Sequence, residues 1–154
     1  MRILTLLFGL LLLAPLGVAA DAGDSSDNPW NKQVDSASVK ADYETGYRLL
    51  KAGDYKSAIK SFKQVIESDP KHAMAYTNMA YAYRKLGKYR KAVNLYEKAL
   101  AIEPNLAEAH EYMGEALLGL GKVDEARKHL AILEKIDPKL ADELRADIQR
   151  HERS

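Results

Sequence analysis

No cysteine occurs in the 154 residues. That excludes disulfides, thiol catalysis and thiolate metal centres, as well as the lipid-modified cysteine that tethers many exported bacterial proteins. Excess charge of one sign is also missing, with 23 basic residues against 22 acidic ones. The chain therefore has no general attraction to nucleic acid or to anionic membrane. No phosphate-binding or dinucleotide-binding glycine motif is found. The four histidines His72, His110, His129 and His151 lack the spacing of a metal site on one helix, and His110 reads as a partly buried packing residue. Gly23-Asp24-Ser25 has the start of a hydrolase motif but lies in a polar stretch with no rigid frame. The basic cluster Lys85, Lys88, Arg90 and Lys91 reads as a solvated turn. Together these absences argue against an enzyme and call for no cofactor and no metal.

Residues 1–20 do not read as part of the fold. A single Arg2 precedes an apolar run from Ile3 to Leu13, Pro15 and Gly17 break it, and Val18-Ala19-Ala20 offers small residues before Asp21. This is the layout of a secretory signal cleaved after Ala20. The rival is an uncleaved anchor, since Ile3 to Ala20 approaches spanning length; the helix breakers and the small-residue ending favour cleavage. Cleavage removes Arg2 and no acid, leaving 22 basic residues against 22 acidic. A soluble periplasmic or secreted protein with no stable membrane insertion is expected. Residues 21–38 are rich in Asp, Ser and Asn and read as a flexible linker. Within it the only tryptophan, Trp30, is either a chance aromatic on a tether or a docking anchor.

Beyond the linker the chain repeats. Gly53, Gly87 and Gly121 are spaced by 34 residues, and so are Pro70, Pro104 and Pro138. Aligning residues 39–72, 73–106 and 107–140 stacks small residues as Gly46, Ala80, Gly114 and as Ala58, Ala92, Ala126. Larger residues stack as Leu49, Tyr83, Leu117, then Tyr55, Tyr89, Val123, then Phe62, Tyr96, Leu130. Each copy predicts helix, turn, helix, turn. The first helices are expected at Val39–Ala52, Ala73–Leu86 and Ala107–Leu120, and the second at Tyr55–Ser68, Tyr89–Ala101 and Val123–Ile136. Glycine ends the first helix because it takes the left-handed conformation at little cost. Proline ends the second because it pushes the preceding residue out of helical geometry. A seventh helix is expected over residues 139–151, capped by Asp137, with Leu140, Leu144 and Ile148 on one apolar stripe.

These columns resemble the tetratricopeptide repeat, whose signature runs W-x2-L-G-x2-Y, A-x3-F and P. The second copy carries it as Tyr76, Met79, Ala80, Tyr83, Ala92, Tyr96 and Pro104. The third carries His110, Met113, Gly114, Leu117, Ala126, Leu130 and Pro138. The first copy departs from it at Asp42 and Thr45, as suits an end unit that meets water. The resemblance implies an all-α, right-handed superhelix of three helix-turn-helix repeats closed by the C-terminal capping helix.

Residues of the first helices outside the packing columns form a second stripe. It runs Lys40, Tyr43, Tyr47, Leu50, then Met74, Thr77, Tyr81, Arg84, then Glu108, Glu111, Glu115, Leu118, with Glu44, Asn78 and Tyr112 beside it. In the family this stripe lines a concave groove that holds a peptide of a partner. The resemblance thus implies a partner-binding groove built from Tyr43, Tyr47, Asn78, Tyr81, Arg84, Glu108, Tyr112 and Glu115. Five of the nine tyrosines (Tyr55, Tyr76, Tyr83, Tyr89, Tyr96) fall in packing columns and four do not. Tyrosine outside the core is interface chemistry, with a broad ring and a polar tip. Some relatives clamp a C-terminal carboxylate with lysine, asparagine and arginine; of those positions only Asn78 matches, which disfavours a chaperone-tail receptor. Charge from Lys40, Arg84 and Lys85 to Glu108, Glu111 and Glu115 suggests a bipolar ligand. The expected function is a non-catalytic adaptor or assembly factor for another protein; the alternative is a self-associating scaffold.

Overall fold

The computed structural model describes residues 35–153, and every regular element among them is an α-helix. The elements are α1 (Ser36–Lys51), α2 (Tyr55–Ser68), α3 (Ala73–Lys85), α4 (Tyr89–Ile102), α5 (Ala107–Leu118), α6 (Val123–Ile136) and α7 (Pro138–Glu152). The leader with Ala20 and the Trp30 stretch lie outside the described residues. One boundary is corrected: α1 starts at Ser36, three residues before the expected start of the first repeat, so residues 36–38 are not linker. The Asp35 side chain accepts a hydrogen bond from the Ala37 N–H at 3.0 Å and so caps this helix. The sequence hid the cap because Ser36-Ala37-Ser38 carries no large apolar residue to show a helical period.

The punctuation works as its chemistry requires. Gly53, Gly87 and Gly121 adopt φ of 79°, 70° and 73°. At each, two backbone bonds close the first helix; the Lys88 N–H donates to the Tyr83 carbonyl at 2.9 Å and the Gly87 N–H to the Arg84 carbonyl at 2.8 Å. This double closure satisfies carbonyls that the helix end would leave bare.

Packing follows the small-residue columns. A Cβ placed on Gly46 would sit 2.8 Å from the Phe62 ring, and one on Gly114 would sit 2.6 Å from Leu144. Ala58, Ala80, Ala92 and Ala126 are fully buried. Large side chains thus lie directly on neighbouring backbones, at a separation no bigger residue permits. The interior divides into a cluster around Leu50, Phe62, Val65 and Met79 and another around Tyr96, Leu117, Leu133 and Leu144. Tyr83 and Leu95 pack against both and make the core continuous.

The same packing curves the array. Helix α1 touches α3, and α3 touches α5, whereas neither α2 and α4 nor α4 and α6 meet. First helices are therefore closer together than second helices, so α1, α3 and α5 line the inner side of the bend. Helix α7 closes the far end against both α5 and α6. Asp137 accepts from the Lys139 and Leu140 N–H groups at 3.1 Å each. Ala141, Leu144 and Ile148 are buried, while Leu140 is only partly covered. Arg145 pairs with Glu134 of α6 at 2.7 Å and Arg127 of α6 pairs with Glu152, but exposed pairs of this kind contribute at most about 1 kcal/mol each. Apolar burial therefore dominates the closure.

Leu144 is fully buried against Gly114. Leu144→Ala should therefore cost about 2–4 kcal/mol in urea unfolding. Removal of residues 139–154 should lower the melting temperature further. A truncated chain that melts with the intact one would show that α7 does not cap the array.

Candidate functional site

On the inner side of the bend, Tyr47, Leu50 and Lys51 of α1, Tyr55 of α2, Asn78 and Tyr81 of α3 and Tyr112 of α5 surround a cavity of about 330 Å³. Four tyrosines in one wall are far more aromatic surface than a chance patch would offer. The residues come together because α1, α3 and α5 run side by side, with Tyr47 and Tyr81 at one equivalent position of the repeat and Asn78 and Tyr112 at another.

Arg84 organises the wall. Its guanidinium lies 4.9 Å from the Tyr81 ring centre and 5.3 Å from that of Tyr112, and the two rings meet edge to face at 5.1 Å. The same guanidinium is ion-paired to Glu115, with both side chains largely shielded from water. Such contacts attract through the negative ring face and weaken when a ring swings away, so they hold both tyrosines in place. Burial raises the Glu115 carboxyl, against a downward pull from Arg84. Arg84 Nε and the Tyr96 hydroxyl are both buried with no hydrogen-bond partner among the described residues; burial, the largest cause, pushes the Tyr96 phenol upward.

The expected site residues divide accordingly. Tyr47, Asn78, Tyr81 and Tyr112 share the cavity, and Arg84 and Glu115 stand behind it. Tyr43 joins only indirectly. Its ring stacks on His72 at 4.9 Å and tilts on Phe62 at 5.8 Å, while its hydroxyl accepts a 2.9 Å hydrogen bond from Asn78 Nδ2. Tyr43 therefore orients Asn78 and does not open its face to the groove. Glu108 stays exposed in the first turn of α5, outside the cavity lining. Several members of the wider stripe are interior: Leu50, Thr77, Glu111 and Leu118 are all buried. The Thr77 hydroxyl donates to the Ala73 carbonyl at 3.1 Å, satisfying itself within α3.

The expected bipolar charge pattern is not what the fold produces. Arg84 and Glu115 neutralise one another, and Lys40 faces Glu44 at 3.9 Å. Opposite charges thus cancel locally across helices separated by 31 residues in sequence, a pairing that linear spacing does not reveal. The sequence also missed Lys51 and Tyr55. Tyr55 shares its column with Tyr89 and Val123 and so reads as core, while Lys51 sits in a helix end where basic residues are common.

Two buried titratable groups lie behind the groove. His110 Nε2 donates to the Pro104 carbonyl at 2.9 Å, which leaves its Nδ1 to accept from His129 Nδ1 at 2.8 Å. Burial first, then the neighbouring His110, lowers His129 to about 4, so His129 is neutral near pH 7. His110 is thus fully committed to packing. Glu111 is held up at about 7, first by burial, then by the charges of Glu115 and Glu143 and a hydrogen bond to Glu143 that the acid form donates. Among the described residues, no group of three or more His, Asp or Glu could hold a metal ion, and no helix is long and apolar enough to cross a membrane.

Three family models, each described as a tetratricopeptide or TPR repeat, match residues 46–72, 61–94 and 80–121. The chain belongs to the tetratricopeptide-repeat family. Its fold is the all-α superhelix of that family. Among solved structures it is similar to the first such domain of Spaghetti (RPAP3) bound to the HSP90 peptide SRMEEVD. The identity there is 28%, covering 78% of this chain and 97% of that one, with a TM-score of 0.70. It is also similar to the second domain of human RPAP3 in complex with the HSP70 peptide SGPTIEEVD, at 27% identity, 73% and 96% coverage and a TM-score of 0.67. Similarity to the MamA protein is 31% identity over 66% of this chain and 56% of that one, with a TM-score of 0.60. No curated protein sequence is a significant match.

The raised Glu111 carboxyl makes a signed prediction for this repeat protein. Its folded value near 7 exceeds the unfolded 4.5, so its favourable contribution is full below pH 4.5 and is lost as pH rises through 7. Glu111→Gln should unfold like the parent at pH 4.5 and at higher urea than the parent at pH 8. An equal difference at both pH values would show that Glu111 is not held protonated.

Proposed function

We propose that the protein is a non-catalytic adaptor, exported from the bacterial cytoplasm, that holds a peptide segment of another envelope or periplasmic protein in its inner groove. The observation that carries this reading is the tyrosine-walled cavity, two of whose rings, Tyr81 and Tyr112, are held in advance by Arg84. A wall already ordered loses little side-chain freedom when a ligand arrives, so ring contact converts efficiently into affinity. The peptide-bound relatives support groove binding as the mode. Their acidic peptides are a poor guide to this chain's ligand, because Tyr43 and Tyr47 stand where a carboxylate clamp has lysine and asparagine, and Glu108 and Tyr112 where it has lysine and arginine.

Export rests on the leader ending at Ala20, and the assembly role rests on the likeness to adaptor domains. Tyr47 is 46% exposed, and Tyr81 is a partly buried ring at the margin of the first core cluster, so removing both leaves the packing around Phe62 and Tyr96 in place. Tyr47→Ala combined with Tyr81→Ala should abolish partner capture from periplasmic extract and leave helicity and melting nearly unchanged. Ile132→Ala on the outer helix α6, where Ile132 is 37% exposed, should capture as the parent does. Undiminished capture by the double variant would refute the groove. Light scattering over a concentration series separates this reading from self-association.

A further inference from the structure

We infer that the bound segment is proline-rich and enters the groove as an extended polyproline helix, its rings seated among Tyr47, Tyr55, Tyr81 and Tyr112. This deepens the groove reading above and rests on it. The first support is shape and surface. Four tyrosines and Leu50 form the wall, and flat aromatic faces suit the flat, rigid pyrrolidine ring, whose chain is already ordered before binding.

The second support is hydrogen-bond complementarity. Lys51 is the only charged side chain lining the cavity, and it can only donate. Among the described residues nothing bonds the hydroxyls of the four tyrosines. Asn78 spends one N–H on Tyr43 and keeps the other. No carboxylate lines the cavity, and the nearby Glu115 and Glu44 are paired to Arg84 and Lys40. Every polar side chain of the lining can therefore donate, the tyrosine hydroxyls and the Asn78 amide being able to accept as well. A polyproline segment is the matching ligand, because its carbonyls make no internal hydrogen bonds and its prolines carry no N–H. A helical ligand would hide its carbonyls within its own ladder and leave these donors to water.

The test is a titration of the full chain with end-capped decaproline, followed by calorimetry and by side-chain NMR of Asn78. Comparison peptides of the same length are a capped Gly-Ser repeat and an acidic peptide with a free C-terminal carboxylate. Decaproline should bind saturably and at least tenfold tighter than either. Tyr81→Ala should weaken it tenfold or more with helical content retained, and Tyr47→Phe should weaken it severalfold by removing one hydroxyl while keeping the ring. Equal or tighter binding of either comparison peptide, no saturation with decaproline, or no effect of Tyr81→Ala would overturn the proposal. If decaproline fails while the Tyr47 and Tyr81 double variant still loses its captured partner, the groove reading stands and only the proline assignment falls. If that double variant keeps its partner, both fall.

Discussion

A large side chain resting on a backbone that carries almost none of its own is the contact from which the rest of the molecule follows. Phe62 lies on Gly46 and Leu144 on Gly114, each closer than any added carbon would allow. The first contact closes α2 on α1 within one hairpin and the second seats α7 on α5, while the fully buried Ala80 and Ala92 leave room for close approach between the hairpins. A regular bend results, with first helices crowded inward and second helices apart. A hairpin alone would leave one such face bare, so the repeats are stable only as a stack. At the far end α7 covers the last face, its Leu144 filling the place that another repeat would supply.

That bend is what gathers the functional wall. Tyr47, Tyr81 and Tyr112 belong to three different helices, and only the inward crowding sets them around one cavity. Arg84 then converts proximity into rigidity by stacking on two rings while Glu115 holds its charge. Tyr43 acts one step further back, packing on His72 and Phe62 and holding the Asn78 amide. The groove thus has a front of ring faces and hydroxyls and a rear of contacts that keep them still.

The groove also differs electrically from those that grip acidic tails. Its nearest opposite charges are spent on each other, and the Glu111 carboxyl beneath it is raised to about 7 by burial and by its carboxylate neighbours. Behind α5, His129, bonded to His110, is neutral at ordinary pH. Near pH 6 the two groups pull in opposite directions: burial of Glu111 is favoured by acid, whereas burial of His129 is opposed by it. The third repeat therefore carries in its interior two titratable groups whose effects on stability run against each other as pH changes.

The sequence by itself determined the helices, their turns and their order. Glycine at positive φ, proline after a helix, and small against large residues are local or periodic requirements, and each leaves its mark at a fixed interval. The end of the first repeat's leader was less legible, since Asp35 caps a helix whose opening turn is polar. What only the tertiary structure decided was the use of individual side chains on the inner stripe. Tyr43 and Tyr47 look alike in sequence, yet one faces His72 and the other the cavity; Arg84 and Glu115 look like separated charges, yet they touch. Such differences depend on the angle at which whole helices cross, and that angle is fixed by contacts many residues away, where no local pattern records it.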